Sequence, residues 1–150
     1  MERSLVLIKP DAVKRGLTGI IISRLENLGL KLVALKMLQL DESLAQRHYA
    51  LHREKAFFDS LVAYISSAPI VAAVFEAEGA VDLIRKAMGA TDPAEAEAGT
   101  IRGDFGLDIE HNTIHSSDSV ETAQEEIRLF FSEDEILNYQ REIDRRPTES

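Results

Sequence analysis

The run Ser4-Leu5-Val6-Leu7-Ile8, cut off by Lys9-Pro10-Asp11, constrains this chain more than any other stretch. Four successive apolar residues with β-branched members favour extended backbone, and a proline just beyond cannot continue a ladder. The run reads as a first, central strand. Lys9 stands at its end, where side chains reach into clefts built by neighbouring loops. An ordinary solvent-facing lysine is the alternative reading.

Beyond Asp11 the chain alternates between helical and extended patterns. Leu17, Ile20, Ile21, Leu25 and Leu28 recur at helical spacing before Gly29, which predicts an amphipathic helix on the sheet. Residues 30–40 are almost continuously apolar, broken by Lys31, Lys36 and Gln39. They predict a second strand covered largely on both faces, with helix as the competing reading. Asp41 is an N-cap for a short helix through Tyr49 and His52. His48 and His52 lie four apart, but no glutamate follows the first as zinc proteases require, so both read as surface or packing residues. Phe57, Phe58, Leu61, Val62 and Ile65 trace a further stripe, ended by Ser66-Ser67-Ala68-Pro69. Residues 70–75 form a third apolar strand. Val81, Ile84 and Met88 mark the inner face of a helix between Gly79 and Gly89, with Arg85 at the edge of that face. Residues 90–111, holding Pro93, Gly99, Gly103 and Gly106, lack periodicity. A loop of that length within a compact domain is functional or disordered, and its mixed composition favours order.

The octet Asn112-Thr113-Ile114-His115-Ser116-Ser117-Asp118-Ser119 comes next. Thr113 and Ile114 read as a strand end, and Asp118 or Ser119 as the N-cap of the following helix, which carries Ala123, Ile127, Phe130 and Phe131. His115 is thereby aimed at a helix N-terminus, a place that favours anions. A neutral imidazole there is a nucleophile toward phosphorus, and a structural histidine in a turn fits these eight residues equally well. Ser132 and Glu135 suggest a capping box for another helix through Leu137 and Tyr139, and residues 144–150 a polar, frayed tail.

This order is the β-α-β-β-α-β plan of a ferredoxin-like α+β domain spanning residues 1–150: a four-stranded antiparallel sheet, helices on one face, and a long loop before the last strand. The net charge of −9 argues against a broad grip on nucleic acid or an anionic membrane, so a polyanionic ligand needs a local cluster of cations. Without cysteine there are no disulfides and no thiol chemistry. No run suits a membrane span or signal peptide, which suggests a soluble, cytoplasmic protein.

Several pieces together carry a family likeness: Lys9-Pro10-Asp11-Ala12-Val13, His48-Tyr49, Phe57-Phe58, Thr91-Asp92-Pro93, Gly99-Thr100-Ile101-Arg102-Gly103-Asp104-Phe105 and Asn112-Thr113-Ile114-His115. In this order and spacing the chain resembles nucleoside diphosphate kinases, from Leu5 to about Tyr139. The resemblance implies transfer of the γ-phosphate from a nucleoside triphosphate, typically ATP, to a nucleoside diphosphate in a ping-pong cycle with broad base specificity. It implies that His115 accepts the phosphoryl group and that Glu126 hydrogen-bonds its other ring nitrogen. Tyr49 and Ser117 would order the site. Lys9, Arg85, Thr91, Arg102 and Asn112 would hold phosphates and ribose, and the base would stack on Phe57 between Leu61 and Ile109. Mg2+ would be held mainly through the nucleotide's phosphates, with no protein metal site. The resemblance also implies a homo-oligomer, a hexamer rather than the tetramer of some bacterial members.

The residues agree on physical grounds, since phosphoryl transfer needs positioning and charge stabilisation, and Lys9, Arg85 and Arg102 are three cations from three segments. Two positions depart from the family pattern. Ser116 stands where glycine usually follows the active histidine, costing on the order of 1 kcal/mol if the backbone needs positive φ. Ala56 replaces the usual proline before the paired phenylalanines, which is expected to loosen the helix bearing Phe57. Ser116 favours the rival reading, a catalytically weakened nucleotide-binding or regulatory module of the same fold. A serine hydrolase using Ser117 or Ser119 lacks a Gly-x-Ser-x-Gly elbow.

Overall fold

In the computed structural model, which describes residues 1–144, four strands form an antiparallel sheet in the order β2-β3-β1-β4. They are β1 (Glu2–Ile8), β2 (Lys31–Leu38), β3 (Ile70–Ala77) and β4 (Ile114–Ser116). β1 is central, pairing with β3 from Glu2 opposite Ala77 to Ile8 opposite Val71, and with β4 through Leu7 opposite His115. The ferredoxin-like plan is as expected from the sequence.

Helices cover both faces of this sheet, where the sequence suggested one. Leu5 and Leu7 of β1, with Ile70, Ala72 and Val74 of β3, face a core built with α3 (Glu42–His48), α4 (Phe58–Ile65) and α7 (Val120–Phe130). Val6, Ile8, Val71, Ala73 and Phe75 face a second core with α1 (Pro10–Lys14), α2 (Thr18–Asn27), α5 (Ala80–Met88) and α6 (Ile101–Phe105). The reason lies in the strands themselves. Both are apolar at consecutive positions, a pattern that needs cover on both sides.

Other expectations change or gain detail. β2 is an edge strand, and its outer half is not covered on both faces: Leu35 and Met37 are 49% and 63% exposed. Ser132 and Glu135 do meet, the Ser132 amide donating to Glu135 Oε1 at 2.8 Å, but the helix beyond is a single 3-10 turn, Glu133–Glu135. The chain leaves it because the free edge of β2 offers partners: the Leu137 amide donates to the Val33 carbonyl at 2.9 Å and the Tyr139 hydroxyl to that of Leu32 at 2.5 Å. At the start of the expected tail, Asp144 is held by Arg141 at 2.9 Å; residues 145–150 lie outside the described residues. Finally, the long segment before β4 is ordered in part by α6, whose N-cap Thr100 accepts from the Gly103 amide.

The helix starts follow the expected chemistry. Asp41 caps α3 by accepting from the Leu44 amide at 2.7 Å, and Ser119 caps α7 by accepting from that of Thr122 at 3.1 Å. Gly79 and Gly89 bracket α5 at φ 63° and 84°. At Gly89 a Cβ would come within 2.5 Å of Thr100 Oγ1, so glycine there also permits the close approach of α6.

Candidate active site

β4 is only three residues long, yet its entry sets the geometry of the site. The Ile114 amide donates to the Asn112 carbonyl at 2.9 Å, closing a γ-turn about Thr113 at φ 74°. Thr113 is the sole non-glycine at positive φ among the described residues. A β-branched residue held there stores about 1–3 kcal/mol of strain, which buried surroundings must over-determine. They do: Thr113 is fully buried, and its carbonyl accepts from the Lys9 amide at 2.9 Å. The expected strand end is therefore a turn, and His115 sits in the middle of the strand instead. Ser116 pairs with Val6 in regular β4 and has no positive φ, so the strain suspected at that position is absent.

His115 projects toward α7. Its Nε2 lies 2.7 Å from Oε2 of Glu126, which is two turns into a helix whose start Ser119 fixes. Glu126 is 8% exposed; burial pushes its pKa up, but the hydrogen bond from His115 and the field of the two neighbouring imidazoles outweigh this and hold it low. An ionised carboxylate at Nε2 accepts a hydrogen bond from an N–H there, leaving Nδ1 with a free lone pair. The His115 side chain is 24% exposed, open to one side.

That side is a cleft of about 510 Å3 lined by Lys9, Tyr49, Leu61, Arg85, Thr91, Arg102, Asn112, His115 and Glu126 among others. Nine of the residues singled out from sequence thus converge on one space. Asn112 links two of them, accepting from Lys9 Nζ at 2.8 Å and donating to the Thr91 carbonyl at 3.0 Å. Arg102, 8% exposed, donates to the Ile114 carbonyl at 2.8 Å while its Nε has no partner. Burial, and then the neighbouring Arg85 charge, push Arg102 down to about 10, and burial with the Arg102 charge pushes Lys9 down to about 8. Crowded, desolvated cations of this kind gain most from an incoming polyanion. Arg85 is tethered to Asp118 at 2.6 Å. Tyr49, 8% exposed, is pushed up to about 12 by burial and by Glu126, so it remains a phenol.

Three expected residues stand apart from this lining. Phe57 and Ile109 are 48% and 61% exposed and do not line the cleft. Phe57 is the residue before α4, which starts without a side-chain cap. Ser117 is fully buried behind the site, its Oγ accepting from the Leu5 amide at 3.3 Å.

One residue of the site was read otherwise in the sequence. His48 packs as expected, but it packs against the site itself: its ring centroid is 4.7 Å from that of His115, and its Nδ1 is 3.4 Å from Glu126 Oε2. Burial pushes its pKa down to about 3, so it is neutral. Its place beside Tyr49 in the sequence was the available signal. The helix phase that turns both inward was not.

The chain is similar to known proteins over nearly its whole length. The sequence profile described as nucleoside diphosphate kinase matches residues 2–136. A nucleoside diphosphate kinase of Dehalococcoides mccartyi is 63% identical over 141 residues, 94% of this chain and 99% of that protein. One from Archaeoglobus fulgidus is 56% identical, covering 94% and 93%. Among solved structures, a halophilic nucleoside diphosphate kinase from Halobacterium salinarum in complex with CDP superposes with a TM-score of 0.92 at 49% identity, over 94% of each chain. A family member from Babesia bovis gives 0.93 at 39% identity, over 96% and 97%.

Proposed function

The chain belongs to the nucleoside diphosphate kinase family, enzymes that move a γ-phosphate between nucleotides, and we propose that it does so through a phosphohistidine on His115. The observation that carries this assignment is the 2.7 Å contact of His115 Nε2 with Glu126, which leaves Nδ1 open toward the cationic cleft.

In the first half-reaction Nδ1 attacks the γ-phosphorus of the donor triphosphate. The N–P bond forms as the bond to the β,γ-bridging oxygen breaks, and the diphosphate leaves with that electron pair. The Nε2 proton stays on the hydrogen bond to Glu126, whose charge stabilises the ring as it becomes cationic. In the second half a β-phosphate oxygen of another nucleoside diphosphate attacks the same phosphorus and the N–P bond breaks. Lys9, Arg85 and Arg102 stabilise charge on the phosphate oxygens, the arginines by forked contacts and Lys9 as a point charge. Asn112 and Thr91 hold the sugar and phosphates, Tyr49 and Ser117 order the pair, and the base stacks at Phe57 between Leu61 and Ile109. Stacking reads no base edge, so base specificity is broad.

Such kinases use a divalent ion, and we assign Mg2+. The cleft fits one that arrives on the nucleotide: Lys9, Arg85 and Arg102 line it, a set that attracts phosphate and repels a free Mg2+, and its carboxylates do not gather into an all-oxygen cage. Bound there, Mg2+ would neutralise phosphate charge. We further assign a cytoplasmic, single-domain protein that assembles as a homo-hexamer rather than a tetramer. The exposed apolar residues Ile20, Leu35 and Met37 on α2 and β2, and Leu107 after α6, supply surface for assembly. No helix among the described residues is long and apolar enough to cross a membrane, and the charge of −9 speaks against nucleic acid.

The test is γ-labelled ATP with magnesium. Label is expected as an acid-labile, base-stable adduct, absent in His115→Ala and discharged by GDP. An acid-stable adduct, or binding without any label, would overturn the assignment.

A further inference from the structure

His48 has no evident task in phosphoryl transfer. Its side chain is 1% exposed, yet neither ring nitrogen has a hydrogen-bond partner, and Oε1 of the adjacent Glu126 is also without one. Buried polar atoms are almost always satisfied, so the orphaned Nδ1 that faces Glu126 calls for a partner that side chains do not supply. Around it the donors are already gathered. His48, His115 and Glu126 each offer one ligand atom, all within 4.8 Å of one another, and this is the grouping with metal-holding spacing among the described residues.

We propose that His48, His115 and Glu126 form a binding site for a divalent transition-metal ion of the zinc type, separate from the ion that travels on the nucleotide. Two imidazoles and one carboxylate are a donor set suited to Zn2+, Co2+, Ni2+ or Cu2+, and poorly suited to Mg2+, which demands oxygen ligands. Ligand atoms about 2.0–2.2 Å from a tetrahedral ion stand some 3.3–3.5 Å apart. The His48 Nδ1 to Glu126 Oε2 separation of 3.4 Å already matches, the 2.7 Å contact of His115 with Glu126 must open by about 0.7 Å, and the two imidazole donors, which lie within 4.8 Å of each other, draw together by side-chain rotation as the ion binds. The ion enters from the cleft, on which the 24%-exposed His115 opens, and a water completes its fourth position. Binding replaces the proton on His115 Nε2, which leaves to solvent, while His48 coordinates through the lone pair of Nδ1 with its proton on Nε2.

The consequence is inhibitory. With a cation on Nε2 in place of a proton shared with Glu126, His115 Nδ1 loses electron density and Glu126 no longer offsets the charge that develops on the ring. This consequence rests on the phosphohistidine reading; the metal site itself does not.

The experiment uses chelator-stripped, nucleotide-free protein. Co2+ is titrated while the visible absorption of tetrahedral cobalt is followed, and Zn2+ is then added by calorimetry in buffers of different protonation enthalpy. One ion per chain and release of one proton are expected. His48→Gln and His115→Asn should each weaken binding on the order of 100-fold, the upper end of what loss of even an outer-shell partner costs. His115→Asn guards against misfolding of the buried His48 variant, because its side chain is partly solvent-exposed. His111→Asn, which removes the exposed His111–Asp108 pair, should bind as tightly as the parent. Absence of a tetrahedral cobalt band, or affinity unchanged in both active-cleft variants, would overturn the site. Finally, protein preloaded with one equivalent of Zn2+ is mixed with labelled ATP and quenched within the first turnover. Labelling of His115 at least ~10-fold slower is expected, and an unchanged rate would overturn the inhibition. Metal binding by a protein that never takes up label refutes the kinase assignment alone; labelling without metal binding refutes the site alone.

Discussion

At the residue scale, the working unit is an imidazole whose two nitrogens have been given different surroundings. Glu126→Gln keeps the volume at that position but removes the acceptor charge, so the Nε2–H tautomer and the developing imidazolium both lose support. Turnover is expected to fall by roughly 10–100-fold with little change in nucleotide affinity, checked by steady-state kcat and KM. Lys9 carries a separate pH dependence. Its pKa of about 8 lies below the ordinary 10.5, so the buried cation costs stability below pH 8, and that cost relaxes as pH rises from 8 toward 10.5. Phosphate in the cleft favours the charged form, so nucleotide binding should take up part of a proton between those limits, and kcat/KM should decline above pH 8. Calorimetry in two buffers at pH 9 detects the uptake; none would place Lys9 out of reach of the phosphates. Ser116 offers a sign test. Since it occupies regular strand rather than positive φ, Ser116→Gly should destabilise by about 0.5–1 kcal/mol, because glycine in a strand loses more freedom on folding. A gain on denaturant unfolding would show strain.

At the scale of elements, α7 is a ruler that starts at Ser119 and delivers Glu126 to His115. Ser119→Ala removes the acceptor for the Thr122 amide, and the expected cost is about 1 kcal/mol. For a chain of this size that lowers the melting temperature by roughly 2–4 °C, readable by calorimetry. Much at this scale was legible before any coordinates. Caps such as Asp41 and Ser119 act through the next few residues, and apolar periodicity reports burial directly, so the strands, the main helices and the residues they carry to the cleft were readable. What was not readable depends on partners far away in sequence. The γ-turn at Thr113 exists because Lys9 and the packed interior hold it, and nothing local distinguishes it from strand. The segment after Ser132 reads as helix until the free edge of β2 captures Leu137 and Tyr139. His48 reads as a surface or packing residue and is a packing one; only tertiary placement shows that what it packs against is His115 and Glu126.

At the scale of the whole molecule, β2 is the exposed margin of the sheet, with Leu35 and Met37 uncovered and only its first residues strapped by the C-terminal segment. An apolar free edge is a template for pairing, and lysine there is the usual way to block it. The double variant Leu35→Lys, Met37→Lys should sediment as a smaller species with an unchanged far-UV spectrum; an unaltered oligomer would exclude this edge as an interface. The two-sided cover of the sheet has a different consequence. His115 and Glu126 face the core shared by α3, α4 and α7, whereas Arg85 and Arg102 stand on α5 and α6 over the other, with β4 as the seam. Partial opening of one layer need not open the other. Hydrogen exchange under mild denaturant would then find a species in which His115 and Glu126 remain paired and protected while Arg85 and Arg102 have come adrift: on the proposed mechanism, a primed acceptor with little to hold its donor.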